Sequence, residues 1–386
     1  MQYRKFGKLD WKVSALGFGA MRLPLIDNNP SAGNTDINEP EAIRMIRQAI
    51  DQGVNYLDTA YPYHGGKSEV VVGHALKDGY REKIKLATKM PSWFIEKYED
   101  FDKYLNEQLG KLQTDHVDFY LLHGLSKKRW LKLRDLDVLK WAEKIIADGR
   151  IRHLGFSFHD DLEAFKQIVD GYDKWTLCQI QHNYMDIEYQ AGTKGLKYAA
   201  EKGLAVVIME PLRGGQLSKE PPESVKEIWN SATTKRTPAD WALQWLWNQP
   251  EVSVVLSGMS TMQQVVENIA SAEHSAIGLL GEKELSLIAE AREKYRKLSP
   301  IPCTGCEYCM PCPNGVNIPH AFHYYNDAMM YSDPRTARFR YRQEAKEAWA
   351  DNCIECLECE EKCPQGIPIS EWLKKAHDYL GPRKKA

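Results

Sequence analysis

The chain has 386 residues, 43% of them hydrophobic, and a net charge of −2. That apolar fraction supports a large packed core, and so even a charge balance gives no support for nucleic-acid binding. No run approaches the ~18 to 20 apolar residues of a membrane span, and residues 1–10 contain no apolar stretch of a signal peptide, so the expected location is cytoplasmic, with no membrane partner.

Eight apolar, strand-like runs occur at 13–19, 55–58, 84–88, 117–122, 151–156, 177–181, 205–209 and 253–256. Helical patterns alternate with them at 41–52, 68–78, 98–112, 136–148, 161–170, 193–202, 238–248 and 262–272. Several of these patterns end in glycine, at Gly53, Gly79, Gly149, Gly171 and Gly203, the usual residue just past a helix C-terminus. Eight strand–helix units predict an α/β fold, a (β/α)8 TIM barrel. A doubly wound sheet would place a Gly-rich fingerprint after the first strand, whereas here Met21-Arg22-Leu23-Pro24 follows. Residues 27–40, rich in Asn, Asp, Gly and Pro, read as a loop overhanging the open face. One more helical pattern runs over 282–298, and Pro300 and Pro302 mark a boundary. The expected domains are the barrel over 1–298 and a small helical, cysteine-rich domain over 299–386.

Eight of the nine cysteines lie beyond residue 300. Cys353-x2-Cys356-x2-Cys359-x3-Cys363-Pro364 has the bacterial ferredoxin spacing. Cys303-x2-Cys306-x2-Cys309-x2-Cys312-Pro313 is one residue shorter at its last gap. Three thiolates at this spacing wrap three corners of a cubane, and the cysteine before proline leaves the turn to reach the other cluster. Two [4Fe–4S] clusters are therefore expected in a ferredoxin-like α-helical dicluster domain. Cys303, Cys306, Cys309 and Cys363 would hold one; Cys353, Cys356, Cys359 and Cys312 would hold the other. Zinc sites pair two C-x2-C knuckles across a longer gap, which this crowding does not match. Cys178 stands alone in a strand and reads as a small buried hydrophobe.

In the barrel, successive predicted strands end in polar residues: Asp58, then Lys89, then His123, with Tyr63 in the loop after Asp58. The C-terminal ends of barrel strands form the catalytic face, so the four would meet there. Asp58-Thr59-Ala60-x-x-Tyr63, Thr88-Lys89 and Leu121-Leu122-His123 resemble the catalytic tetrad motifs of the aldo-keto reductase family. The resemblance covers roughly residues 1–275, and with the cysteine groups it is similar to the iron–sulfur branch of that family. It implies reduction of an aldehyde or ketone, or oxidation of the alcohol, with Tyr63 as proton donor and Lys89 lowering its pKa. Asp58 would hold Lys89, and His123 would orient the carbonyl. It also implies a nicotinamide cofactor, NADH or NADPH, near Ser157, Gln179, Met209, Leu212, Arg213, Gly214, Ser260, Gln264, Glu267 and Asn268. Three features depart from the family pattern: Ser157 is followed by Phe158, Met209 stands where an aromatic ring often stacks, and 257–264 holds no cation, leaving Arg213 as the nearest charge in the pattern. A flavin is an alternative, since clusters pass single electrons and flavin can exchange both one and two. The competing expectation is an electron-transfer module whose barrel is a scaffold or sensor and whose clusters serve a partner ferredoxin or flavoprotein.

Overall fold

The computed structural model describes residues 1–26, 36–303, 305, 308–363 and 365–382. Most of the 27–40 loop, Cys306 and Pro364 lie outside the described residues. Contacts divide the chain into two compact units: Met1–Lys219 with Arg236–Leu285, and Glu220–Lys235 with Ser286–Ala386.

The first unit opens with an antiparallel hairpin, β1 (Tyr3–Phe6) and β2 (Leu9–Ser14). Eight parallel strands follow: β3 (Leu16–Gly19), β4 (Tyr56–Asp58), β5 (Lys85–Met90), β6 (Val117–Leu125), β7 (Ile151–Phe158), β8 (Leu177–Gln181), β9 (Ala205–Met209) and β10 (Val252–Gly258). They pair in chain order, and β10 pairs with both β9 and β3, closing a barrel. The run at 13–19 therefore divides: Val13 and Ser14 finish the hairpin, and the barrel begins at Leu16. The helices of this unit are α1 (Glu39–Asp51), α2 (Ser68–Ala75), α3 (Glu99–Leu112), α4 (Lys127–Asp135), α5 (Val138–Asp148), α6 (Leu162–Asp170) and α7 (Gly192–Glu201); past α8 (Glu223–Ser231), which belongs to the other unit, come α9 (Pro238–Trp247) and α10 (Met262–Glu273). Side chains capping their N-termini include Asn38, Ser126, Asp161, Thr237 and Thr261, each accepting a backbone N–H of the first turn.

The hairpin fills the N-terminal end of the barrel. Phe6 is fully buried against Tyr56 and Phe119, with ring centroids 5.9 and 4.9 Å away. The core there also includes Leu177, Ala205, Val207 and Val254. With that end plugged by apolar side chains, the C-terminal end is left for polar groups.

The other unit contains α11 (Glu282–Lys297) from Ser286 onward, α12 (Ile318–Met330), α13 (Pro334–Gln343), the one-turn α14 (Glu358–Glu361) and α15 (Ile369–Leu380). Its core gathers Ile301, Val316, Ile318, Phe322, Tyr341, Ile367, Ile369 and Leu373. Arg338 and Arg342 of α13 donate to the carbonyls of Tyr379, Leu380 and Gly381, so cations meet the electronegative end of α15. No helix among the described residues is long and apolar enough to cross a membrane.

Gly7 turns the hairpin at φ +55°, and a Cβ there would lie 2.5 Å from the backbone N of Ala205. Gly7→Ala therefore faces both left-handed backbone strain and a steric clash. It is expected to destabilise the barrel by roughly 2 kcal/mol, read as a lower denaturant midpoint in anaerobic unfolding. A change under ~0.5 kcal/mol would show that the turn relaxes away from the barrel.

Candidate active site

The parallel register sets Asp58 beside Ala87 and Lys89 beside Leu121, so the ends of β4, β5 and β6 form one wall. Lys89 is 1% exposed. Its Nζ donates to Asp58 Oδ1 at 2.6 Å, to the Thr59 carbonyl at 2.8 Å and to Tyr63 Oη at 3.3 Å. Each ammonium proton thus has an acceptor. Tyr63 opens a short 3-10 turn, Tyr63–Gly66, directly after β4. The His123 ring stands edge-on to Tyr63 at 6.0 Å, and Trp93 packs 5.0 Å from the other side of His123.

Burial raises the Asp58 carboxyl, and Lys89 opposes that effect. Lys89 is pulled down by burial and lifted by Asp58 and Tyr63, and its pKa ends above the ordinary value. At 2.6 Å the two groups satisfy each other as an ion pair. Tyr63 differs from the expectation. Lys89 does pull its pKa down, but burial is the larger effect and Asp58 and Glu210 add to it, so the phenol sits above its usual value and keeps its proton at neutral pH. His123 is driven well below the usual imidazole range, first by burial and then by Lys89, His159 and Arg129. It is neutral at pH 7, and its Nδ1 is buried with no partner.

Behind this wall lies a buried polar layer that sequence reasoning missed. Gln108 Nε2 donates to the Lys89 carbonyl at 3.0 Å and to Glu69 Oε1 at 2.5 Å, and Tyr120 donates to Gln108 Oε1 at 2.7 Å. Thr88 donates to the same Glu69 oxygen at 2.6 Å. Glu69 is fully buried and its pKa is raised by burial, with the Thr88 and Gln108 hydrogen bonds opposing. The available signal was a glutamate set directly before a valine run, Ser68-Glu69-Val70-Val71-Val72. The network fixes the β5 backbone from which Lys89 projects.

The residues assigned to a nucleotide fall on the ends of β7 to β10 and the following loops. Ser157 is buried and its Oγ accepts from Gly124 N at 2.7 Å. Gln179 is buried with Oε1 unpartnered. Met209 ends β9, and Leu212 and Gly214 follow in a turn where Glu210, Arg213 and Gly214 have φ of 55°, 50° and 67°. Arg213 is held by Asp186 at 3.2 Å, so its charge is already engaged. Ser260 and Gln264 are exposed and joined, Ser260 N donating to Gln264 Oε1 at 2.8 Å. Glu267 is exposed and accepts from Gln263, while Asn268 is buried and donates to Ser257 Oγ at 3.0 Å. The fit to a nicotinamide is local and chemical: the orphaned Gln179 oxygen is an acceptor a carboxamide N–H would satisfy.

In the second unit, one small pocket, partly open to solvent, is lined by Cys309, Cys312, Cys353, Cys356 and Cys359 together with Ile318 and Leu373. Cys312 thus comes together with the second cysteine group despite its shortened spacing. Cys303 and Cys363 pack against the apolar core and do not line this cavity. Burial pushes the Cys359 thiol up to about 11, with Cys353, Glu360 and Cys356 adding to it. Such crowded sulfurs fit a cationic iron core that would compensate several thiolates at once. Cys178 is fully buried in β8, and burial raises its pKa.

The aldo/keto reductase family model matches residues 15–292. The chain belongs to this family. A 4Fe-4S dicluster domain matches residues 302–367. The chain is similar to L-galactose dehydrogenase of Arabidopsis thaliana, 27% identical over 78% of this chain and 97% of that protein. It is similar also to the NADH-specific methylglyoxal reductase of Escherichia coli, 24% identical over 75% of this chain and 98% of the relative. Among solved structures, the holo form of aldo-keto reductase AKR11C1 from Bacillus halodurans superposes with a TM-score of 0.62 and 28% identity, covering 75% of this chain and 96% of its own. This aldo/keto reductase is therefore an oxidoreductase whose barrel is joined to an iron–sulfur dicluster domain.

Lys89→Met leaves Asp58 buried without its cation. The expected loss is roughly 3 kcal/mol at pH 8. Without Lys89 the folded-state pKa of Asp58 rises further, so the folded protein binds the extra proton and the deficit shrinks as pH falls. Unfolding of wild type and variant at pH 8 and pH 5.5 checks this; a deficit that grows on acidification would rule out a charged Asp58–Lys89 pair.

Proposed function

We propose that the barrel reduces a small aldehyde or ketone, or oxidises the alcohol, with Tyr63 as the proton donor. The observation carrying this reading is the Lys89 ammonium hydrogen-bonded at once to Asp58 and Tyr63 Oη beneath the barrel mouth. A nicotinamide, NADH or NADPH, would be held beside Gln179 and would supply hydride for the carbonyl carbon; flavin is the alternative that could also accept single electrons. The developing alkoxide is far more basic than a phenolate, so a phenol held protonated by burial still delivers its proton to it. Lys89 then stabilises the phenolate left behind, and Asp58 keeps Lys89 charged. His123, neutral, offers one N–H to the carbonyl oxygen and does not compete as an acid.

The clusters, once assembled, carry single electrons, and we assign them to exchange with the barrel's cofactor or with a ferredoxin or other redox partner. The eight cysteines 303, 306, 309, 312, 353, 356, 359 and 363 are the proposed ligands. The relative named a methylglyoxal reductase supports a small carbonyl substrate.

Tyr63→Phe is expected to lower carbonyl reduction by roughly 10² to 10⁴, the usual worth of a positioned acid. Cofactor binding, read by fluorescence titration, should persist. A loss under tenfold would assign the proton to another group.

Anaerobically purified protein is expected to hold about eight iron and eight sulfide per chain, as two [4Fe–4S] clusters require. Cys312→Ala should lower the iron to about four, since its thiol shares a cavity with Cys353, Cys356 and Cys359. Unchanged iron in that variant would remove Cys312 from the ligand set.

A further inference from the structure

Beyond His123 the chain passes through Gly124 and Leu125 into α4, whose first turn reads Lys127-Lys128-Arg129. That turn contains no acidic residue. Three cations at a helix N-terminus oppose the helix dipole, which favours negative charge there. Among the described residues no carboxylate pairs with any of the three side chains. The helix end itself is served by Asp160, whose carboxylate accepts from Lys127 N at 2.8 Å, so it is the side-chain charges, not the dipole, that are left for a ligand.

Arg129 is the best placed of the three. It is half-buried, and one guanidinium N–H donates to the carbonyl of Gly124, the residue after His123. Its guanidinium carbon lies 5.8 Å from the centroid of the Trp93 ring, and Trp93 is itself 5.0 Å from the His123 ring. Tyr63, His123, Trp93 and Arg129 are therefore successive neighbours, beginning at the proton donor. Burial lowers the Arg129 pKa with no carboxylate opposing it. Arg129 in turn pushes down both His123 and His159. A structural strut would need only the Gly124 hydrogen bond and the contact with Trp93. The remaining guanidinium N–H groups form a fork that matches a carboxylate or phosphate.

We propose that the substrate is a short carbonyl compound bearing a carboxylate or phosphate, its anionic end held by Arg129 and its carbonyl at Tyr63 and His123. The inference rests on the carbonyl-reductase reading above and adds the substrate class. Trp93 neighbours both His123 and Arg129, and Arg129 bonds the residue after His123, so a short molecule suits the two ends.

Two matched pairs of probes test it on the holoenzyme: 4-carboxybenzaldehyde against benzaldehyde, and glyceraldehyde 3-phosphate against glyceraldehyde. The wild type is expected to favour the charged member of at least one pair by kcat/KM, and the pair that shows this tells carboxylate from phosphate. Arg129→Met should raise KM for that member roughly 10- to 100-fold, as loss of a charge-assisted hydrogen bond implies, and raise KM for its neutral analogue far less. Arg129→Lys should recover part of the difference. Equal preference in both pairs, or equal KM rises in Arg129→Met, overturns the proposal. If no aldehyde is turned over, the carbonyl-reductase reading fails instead. The anion site is then judged by calorimetry with terephthalate and inorganic phosphate, where a Kd unchanged by Arg129→Met for both overturns it. Should Arg129→Met not fold, the surface pair Lys127→Gln and Lys128→Gln is read in its place. The charged preference falls by about threefold through weaker steering, and an unaltered preference counts against the site.

Discussion

A lysine buried at the mouth of an apolar barrel is the constraint on which the site depends. Lys89 is 1% exposed, and an ammonium there is stable only if every proton has an acceptor and a counter-charge is near. Asp58 provides the charge, and the Thr59 carbonyl and Tyr63 hydroxyl provide the rest. Removing either charge exposes the other to the full desolvation penalty. That obligation holds the end of β4, the turn bearing Tyr63 and the end of β5 in one arrangement.

The requirement reaches further into the wall. Lys89 can be held in place only if its backbone is, and Gln108 fastens the Lys89 carbonyl to Glu69 and Tyr120. At the opposite end of the barrel, Phe6 and the hairpin fill the interior with aromatic rings. One end of the barrel is thus packed and dry, and the other carries strained turns, orphaned polar atoms and an uncompensated cation. Strain and unsatisfied groups of this kind concentrate where a ligand binds.

The iron–sulfur unit follows different physics. Its apolar core is small, and Cys303, Cys309, Cys312, Cys353, Cys359 and Cys363 pack against it half-exposed. Metal ligation and folding are coupled in such domains, because the thiolates must be gathered and compensated together. The barrel's core needs no such help, being built from many buried Val, Leu, Ile and aromatic side chains.

Much of this was legible from the sequence. Period-2 apolar runs alternating with 3.6-period patterns specify strand and helix locally, so the eight barrel strands could be read, as could the cysteine spacing that marks a dicluster domain. Asp58, Lys89 and His123 stood out because a charge ending an apolar strand has few places to go. Other features were decided by tertiary structure alone. The split of the 13–19 run arises because the hairpin turns back to plug the barrel, a demand of packing that no local pattern expresses. Glu69 carried only the faint signal of a carboxylate beside a valine run and Gln108 none, and only the packing of α2 and α3 beside β5 joins them behind Lys89. The higher pKa of Tyr63 reflects burial outweighing the lysine, a balance of depth and distance that spacing along a chain does not encode. For the same reason Arg213, promising in the sequence, is engaged by Asp186, whereas Arg129, unremarked there, is the cation left beside His123.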